Sequence, residues 1–226
     1  MNLTEAHIEA QARLRAATER ALADLWAGLP AYDEQDVPGW LASAVPVVTA
    51  AQKTSSALTL AYLAEHGRRR IATIDAARVT TTAIRGVPAA EVYRRPFVTL
   101  WTALKAGRDY DAAVAAAAAR ATSTGAMDVQ MAMRSTLAQA QQSDPAIRGY
   151  RRVADPGACA FCAALDGAFV RNADAMALHN RCGCGLEPIY SPVAATALPD
   201  TVAVHEHGEL GPVLGDPAHD FSQVPA

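Results

Sequence analysis

The sequence lacks several features that would assign it to a familiar class of protein. No apolar run approaches the roughly 18–20 residues needed to cross a bilayer, and the first residues lack the basic stretch and apolar core of a signal peptide. The 23 acidic and 20 basic side chains give a net charge of −3, so no overall basic field is available to hold nucleic acid. We therefore expect a protein that is neither secreted nor inserted in a membrane.

Common catalytic motifs are also missing. There is no Gly-x-Ser-x-Gly elbow, no His-Glu-x-x-His pair and no phosphate-binding glycine loop. Cysteine is scarce, and the four cysteines all lie between residues 159 and 184. A secreted disulfide scaffold usually spreads its cysteines so that they link distant loops. The clustering therefore favours reduced thiols that bind a metal.

The first 145 residues carry the pattern of a helical body. Apolar residues recur at three- and four-residue spacing, for example at Leu22, Leu25, Trp26 and Leu29. Asp36 is a candidate helix cap, Asp109 precedes the alanine-rich segment, and Pro46 and Pro96 should bend their helices. The pattern predicts four long helices, from about Thr4 to Ala27, Asp36 to Gly67, Pro88 to Ala106, and Asp109 to Gln142.

The character of the chain changes after Pro145. Two short extended segments, residues 147–153 and 186–190, bracket the cysteines, and residues 191–226 contain five prolines, five acids and no lysine or arginine. We expect a mainly α fold, with a small Cys/His zinc-binding module bracketed by short strands and an extended tail. The predicted divisions are a helical body (1–145), the Cys/His module (146–190) and a Pro-rich acidic tail (191–226), which we expect to lie along a neighbouring protein.

The cysteine pattern itself predicts a structural zinc site. It reads Cys159-x2-Cys162, then sixteen intervening residues, then His179-x2-Cys182-x-Cys184. Zinc takes four sulfur or nitrogen donors at tetrahedral corners, and a two-residue spacing lets one tight turn bring both sulfurs to the metal. Five candidates compete for four places. Cys159, Cys162 and Cys184 are the first choices, and His179 and Cys182 compete for the fourth position.

Other interpretations of the cysteines stay open at this point. They could form two disulfides or remain unliganded thiols. A catalytic zinc would need an open position and a nearby acid or base, for which Asp166 and Glu187 are the candidates. Coordination by thiolates throughout favours a closed structural site instead.

Two segments resemble the C-terminal signature of MuF-like phage head-morphogenesis proteins, in the versions carried by tailed phages of actinobacteria. They are Cys-Ala-Phe-Cys-Ala-Ala-Leu-Asp-Gly at 159–167 and His-Asn-Arg-Cys-Gly-Cys-Gly-Leu-Glu-Pro-Ile-Tyr at 179–190. Shorter matches lie at residues 92–97, 104–107, 128–130 and 150–153, so the resemblance covers roughly residues 90 to 190. Relatives commonly have His-Pro where this chain has His179-Asn180.

The resemblance implies a minor capsid protein of the virion, assembled in the host cytoplasm, whose partners are the portal or the major capsid protein. It implies no reaction and no membrane contact. Some relatives are labelled capsid maturation proteases, which makes a protease the second hypothesis.

A third hypothesis is a cellular zinc-knuckle protein that binds nucleic acid. Contact with DNA would fall on the few concentrated basic residues, which are Arg68, Arg69, Arg70, Arg94 and Arg95. The alternative for these arginines is that they are solvated helix ends without a ligand.

Overall fold

A computed structural model of the chain describes residues 2–67, 74–176, 182–190, 203–207 and 211–215. Two short 3-10 helices cover Ala76–Val79 and Ala173–Ala175. None of the helices in these residues is both long and apolar enough to cross a membrane. The α-helices are α1 (Leu3–Ala27), α2 (Asp36–Gly67), α3 (Thr81–Arg85), α4 (Ala89–Lys105), α5 (Tyr110–Ser143) and α6 (Ala160–Ala164).

The strands form two small antiparallel sheets. Three of them, β1 (Gly149–Val153), β2 (Phe169–Val170) and β3 (Gly185–Ile189), make a sheet in the order β2-β1-β3. The hairpin of β4 (Ala203–His207) and β5 (Gly211–Gly215) forms the second sheet. The mainly α fold class and the short strands around the cysteines are therefore confirmed.

The four long predicted helices match α1, α2, α4 and α5 to within a few residues. Asp109 caps α5, because its carboxylate accepts a hydrogen bond from the Ala112 backbone N–H at 3.2 Å. Asp36 acts differently. It is the first residue of α2, and its carboxylate accepts from the backbone N–H groups of Ala31 and Tyr32 in the preceding turn.

Several short elements were not predicted. Residues 76–85 form the first 3-10 helix and α3, although consecutive Thr residues at 80–82 give no helical periodicity. The five-residue α6 is too short to show a period. Within the predicted tail the structure contains the β4–β5 hairpin, a local pairing that neither composition nor charge reveals. The predicted basic residues 68–70 lie outside the described residues.

The first of two apolar clusters, here called the helical core, joins α1, α2, α4 and the first half of α5. Trp26 is at its centre, with its ring 5.3 Å from that of Trp40 and 5.0 Å from that of Phe97. α5 contributes small side chains at four-residue spacing, namely Ala113, Ala117 and Ala121. Gly125 continues this row, and an added Cβ there would overlap Leu22 of α1. Small residues thus allow α5 to approach its neighbours closely.

A buried carboxylate holds the unpredicted α3 against the long helices. Asp128 of α5 is fully buried, and its two oxygens accept hydrogen bonds from Thr81 Oγ1 at 2.7 Å, Tyr93 OH at 2.8 Å and Arg85 Nε at 2.6 Å. A buried charge is tolerated when it is paired and hydrogen-bonded in this way. Asp128 therefore connects α3, α4 and α5 through a single side chain.

The second apolar cluster, the cysteine core, combines the helices with the three-stranded sheet. It includes Leu63 of α2, Leu137 of α5 and Leu186 of β3, together with the buried cysteines. Tyr150 of β1 donates a hydrogen bond to the carbonyl of Leu137 at 2.6 Å. α1 also reaches this region, because Ile8 packs so closely on Gly185 that a Cβ there would overlap it. The cysteine-containing segment is thus built onto the helices.

Replacing Asp128 by Asn should destabilise the protein by about 2–4 kcal/mol, because the partly buried Arg85 guanidinium would lose its charged partner and the buried Asn NH2 group would point at a donor. Urea denaturation followed by circular dichroism measures the change. Asp111→Asn is the matched control, since this exposed residue of the same helix should change stability by less than about 0.5 kcal/mol. Equal effects of the two substitutions would contradict the role given to Asp128.

Candidate metal centre

Three cysteines meet at one end of the three-stranded sheet, where Val153 of β1 pairs with Gly185 of β3. Cys162 comes from α6, and Cys182 and Cys184 come from the segment that leads into β3. The three Sγ atoms all lie within 4.8 Å of one another, and each residue is at most 2% exposed. The sheet therefore brings together the two halves of the cysteine pattern.

The sulfur spacing fits a tetrahedral metal ion. Zinc–sulfur bonds are about 2.3 Å long, so two sulfurs at tetrahedral corners are about 3.8 Å apart. The Sγ atoms of Cys162 and Cys182 are 3.9 Å apart. A disulfide would bring two sulfurs to about 2.05 Å, and none of the four cysteines is disulfide-bonded in this structure.

The other two predicted donors lie in different situations. Cys159 is exposed at the N-cap of α6 and is hydrogen-bonded to the Cys162 thiol, although it is not one of the three clustered sulfurs. His179 lies outside the described residues. Cys182, a competitor for the last place in the sequence analysis, is one of the three. A fourth donor from Cys159 or His179 remains a prediction.

Electrostatics make the three thiols unequal. A hydrogen bond from the Cys182 thiol, helped by the Asp155 backbone N–H and by Arg152, lowers the pKa of Cys184 to about 5 in spite of its burial. Burial raises the pKa of Cys162 to about 12, and the hydrogen bond to Cys184, together with burial, raises the pKa of Cys182 as well. The protein alone thus favours one thiolate, and a bound dication would be needed to favour all three.

A buried arginine supplies positive charge directly beside the sulfurs. Arg152 of β1 is 2% exposed, and its Nη2 lies 3.0 Å from Cys162 Sγ and 3.7 Å from Cys182 Sγ. Burial alone would lower the pKa of this guanidinium, but the hydrogen bond to Cys184 and the electrostatic interactions with the three cysteines raise it overall. The site therefore suits a group of thiolates whose negative charge exceeds that of the metal.

Two further side chains tie the cluster to the helices. Gln130 of α5 donates a hydrogen bond to the Cys184 carbonyl at 2.8 Å and accepts one from Arg15 of α1, also at 2.8 Å.

Gly183 lies between two ligand candidates, and an added Cβ would overlap the carboxylate of Asp155. A larger residue between the two cysteines would therefore have to displace the Asp155 carboxylate.

Arg134 of α5 fixes the backbone that precedes the second pair of cysteines. Its guanidinium donates to the carbonyl oxygens of Ala173, Asp174 and Met176 at 3.0, 2.6 and 2.6 Å. The sequence analysis did not single out Arg15, Gln130, Arg134 or Arg152 as part of the site. Only the alternation of burial along the GYRRV strand could have indicated that Arg152, unlike Arg151, faces inward.

The acids considered for a catalytic zinc have other partners. Asp166 accepts a hydrogen bond from the Ala154 backbone N–H at 2.8 Å, and Glu187 accepts one from Arg151 Nε at 2.9 Å. His66 lies 3.4 Å from Glu187 as well. Within the described part of the chain, neither acid is among the groups gathered at the three sulfurs.

Of the five arginines predicted to form a basic surface, the structure describes Arg94 and Arg95. Arg94 forms two hydrogen bonds with Glu34, at 3.0 and 3.1 Å, so part of its charge is already compensated. Arg95 is exposed on the same helix, α4. DNA binding by this group stays a prediction.

The sequence matches the model of a protein family described as VG15 protein. The match covers residues 2–205. It therefore includes all four cysteines and every helix in the described part of the chain. No protein with a curated description and no solved structure matches the chain.

Freshly reduced protein should contain about one zinc per chain, because the clustered sulfurs have the spacing of a tetrahedral site. Elemental analysis of the purified full chain measures this. The double variant Cys162→Ser/Cys182→Ser should contain no zinc. Comparing Cys159→Ser with His179→Asn then identifies the fourth donor as the residue whose loss weakens binding. Metal-free protein after purification under reducing conditions would contradict the site.

Arg152→Gln should lower zinc affinity by about 10- to 100-fold, since the residues around metal ligands contribute on this scale. Competition with a chromophoric chelator measures the affinity. Arg151→Gln is the matched control, because Arg151 is the neighbouring arginine, is 52% exposed and pairs with Glu187 instead. If both variants retained the affinity of the parent chain, the charge-balancing role of Arg152 would be wrong.

Proposed function

Because the chain belongs to the VG15 protein family, a family of viral gene products, we propose that this phage protein is a minor capsid protein acting in head assembly. The observation that carries the proposal is the burial of the three clustered thiols, each at most 2% exposed. Sulfurs that a substrate cannot reach serve structure and not catalysis. Protein–protein contact is then the function that the geometry supports best.

The cysteine cluster supports this role as a crosslink of the fold. Cys162, Cys182 and Cys184 would hold the metal together with Cys159 or His179. A structural zinc, when bound, supplies folding free energy and no reaction. It would join the β1–α6 connection to β3, and Gln130 and Arg15 would transmit that constraint to α5 and α1.

The proposed partners follow from the resemblance to MuF-like proteins in residues 159–190. These are the portal and the major capsid protein, and the location that we propose is accordingly the phage head. The acidic residues 191–226 suit an extended contact with a neighbouring protein, since a short hairpin without a further layer is marginally stable by itself.

Co-expression with the portal and major capsid proteins of the same phage tests the role. We expect the chain to co-sediment with assembled particles in a density gradient and to leave the capsid subunit at its full length. The variant Cys162→Ser/Cys182→Ser should lose most of this association, because the crosslinked module would be unfolded. Asp24→Asn, a change at an exposed position of α1, is the control and should co-sediment like the parent chain.

Two results would contradict the proposal. Absence of the folded parent chain from particles that contain portal would exclude a minor capsid role. Shortening of the capsid subunit only when the chain is present would instead establish the protease hypothesis.

A further inference from the structure

An open groove of about 770 Å³ runs between α1 and the turn that follows β1. From α1 the side chains at residues 5, 8, 9 and 12 face the groove, which is the spacing of one face of a helix. The opposite wall is the segment 153–157, which leads from β1 towards Cys159. The groove therefore exists only where the cysteine-containing segment packs against α1.

The floor of the groove is apolar. Ile8 and Ala12 come from α1, and Val153, Ala154 and Pro156 come from the opposite wall. Ile8 packs closely on Gly185 of β3, so this side chain is fixed by the fold and the floor of the groove is ordered. Apolar depressions of this kind commonly bind apolar side chains of a partner.

The remaining lining is acidic except for Gly157. It consists of Glu5, Glu9, Asp155 and Asp166, and no Lys, Arg or His lines the groove. Glu9 pairs with Arg13 in an exposed i,i+4 arrangement, in which the side chains are 50% and 67% accessible. Such a pair is weak and exchanges readily with another cation. The rim thus presents net negative charge above an apolar floor.

We propose that this groove binds a short segment of another protein in which apolar side chains are flanked by Lys or Arg. Residues 5–12 of α1 span about 10 Å, which is enough for roughly two helical turns of such a segment. The chain's own residues 191–226 carry five acids and no Lys or Arg, so charge excludes them as the occupant. Because only the chemistry of the partner is named, the inference does not depend on the assembly role.

Fluorescence anisotropy with labelled synthetic peptides tests the proposal on the full, metal-loaded chain. The probe is a short peptide of Lys and Leu in which Leu recurs at three- and four-residue spacing, so that as a helix it presents an apolar face flanked by Lys. One comparison peptide has Glu in place of Lys, and a second has Ser in place of Leu. Only the Lys/Leu peptide should bind well, and its affinity should fall as the NaCl concentration rises, because exposed charges are screened.

Variants then locate the binding. Glu9→Gln/Asp166→Asn should weaken the Lys/Leu peptide about fivefold, the effect of two partly exposed ion pairs, and the Asn keeps the acceptor for Ala154 N–H. Ala12→Phe fills the floor without changing charge and should also weaken binding. The control Asp24→Asn/Glu91→Gln removes two exposed acids that do not line the groove. It should bind like the parent chain.

Thermal melting of each variant establishes that it is folded before its binding is compared. Equal binding of the Lys/Leu and Glu/Leu peptides, or equal loss in the control and groove variants, would overturn the proposal. Sedimentation velocity tests whether a second copy of the chain occupies the groove instead. Self-association that Ala12→Phe abolishes would assign the groove to that second copy and would also overturn the proposal.

Discussion

The continuity of α5 is the constraint on which the rest of the structure depends. Its first half supplies the alanines of the helical core, and its second half supplies Met133 and Leu137 to the cysteine core. Between them lie Asp128, which holds α3 and α4, and Gln130, which contacts the Cys184 backbone. One helix therefore fixes the helical body and the cysteine cluster relative to each other, and a break in it would separate the two.

Charge balance explains why the cysteine cluster lies among arginines. Thiolates collected in a buried position repel one another, and a dication neutralises only part of their charge. Arg152 contacts the sulfurs directly, whereas Arg134 donates to the backbone that precedes the second pair of cysteines and Arg15 acts through the side chain of Gln130. The Arg152 guanidinium would be costly to bury without nearby anions, so this arginine and the thiolates require each other.

The long helices could be predicted because their apolar periodicity and caps are local properties of the sequence, as at Asp109. The strands around the cysteines followed from residue type and turns. What the sequence did not reveal depends on contacts between distant residues. α3 is held by Asp128 across more than forty positions, and Arg152 is distinguished from Arg151 only by which face of β1 meets the core. The clustering of Cys182 with Cys162 is likewise a result of strand pairing, which spacing alone leaves open.

The packing of Ile8 on Gly185 limits how early the fold can be completed while the chain is being synthesised. α1 ends at Ala27 and β3 begins at Gly185, so their contact can form only after all of the intervening helices have been synthesised. α1 can pair with α2 early, yet its surface near Ile8 stays exposed until the cysteine-containing sequence has emerged. The contact of Ile8 with Gly185 therefore forms late, and until then the growing chain depends on α1 not binding another apolar surface.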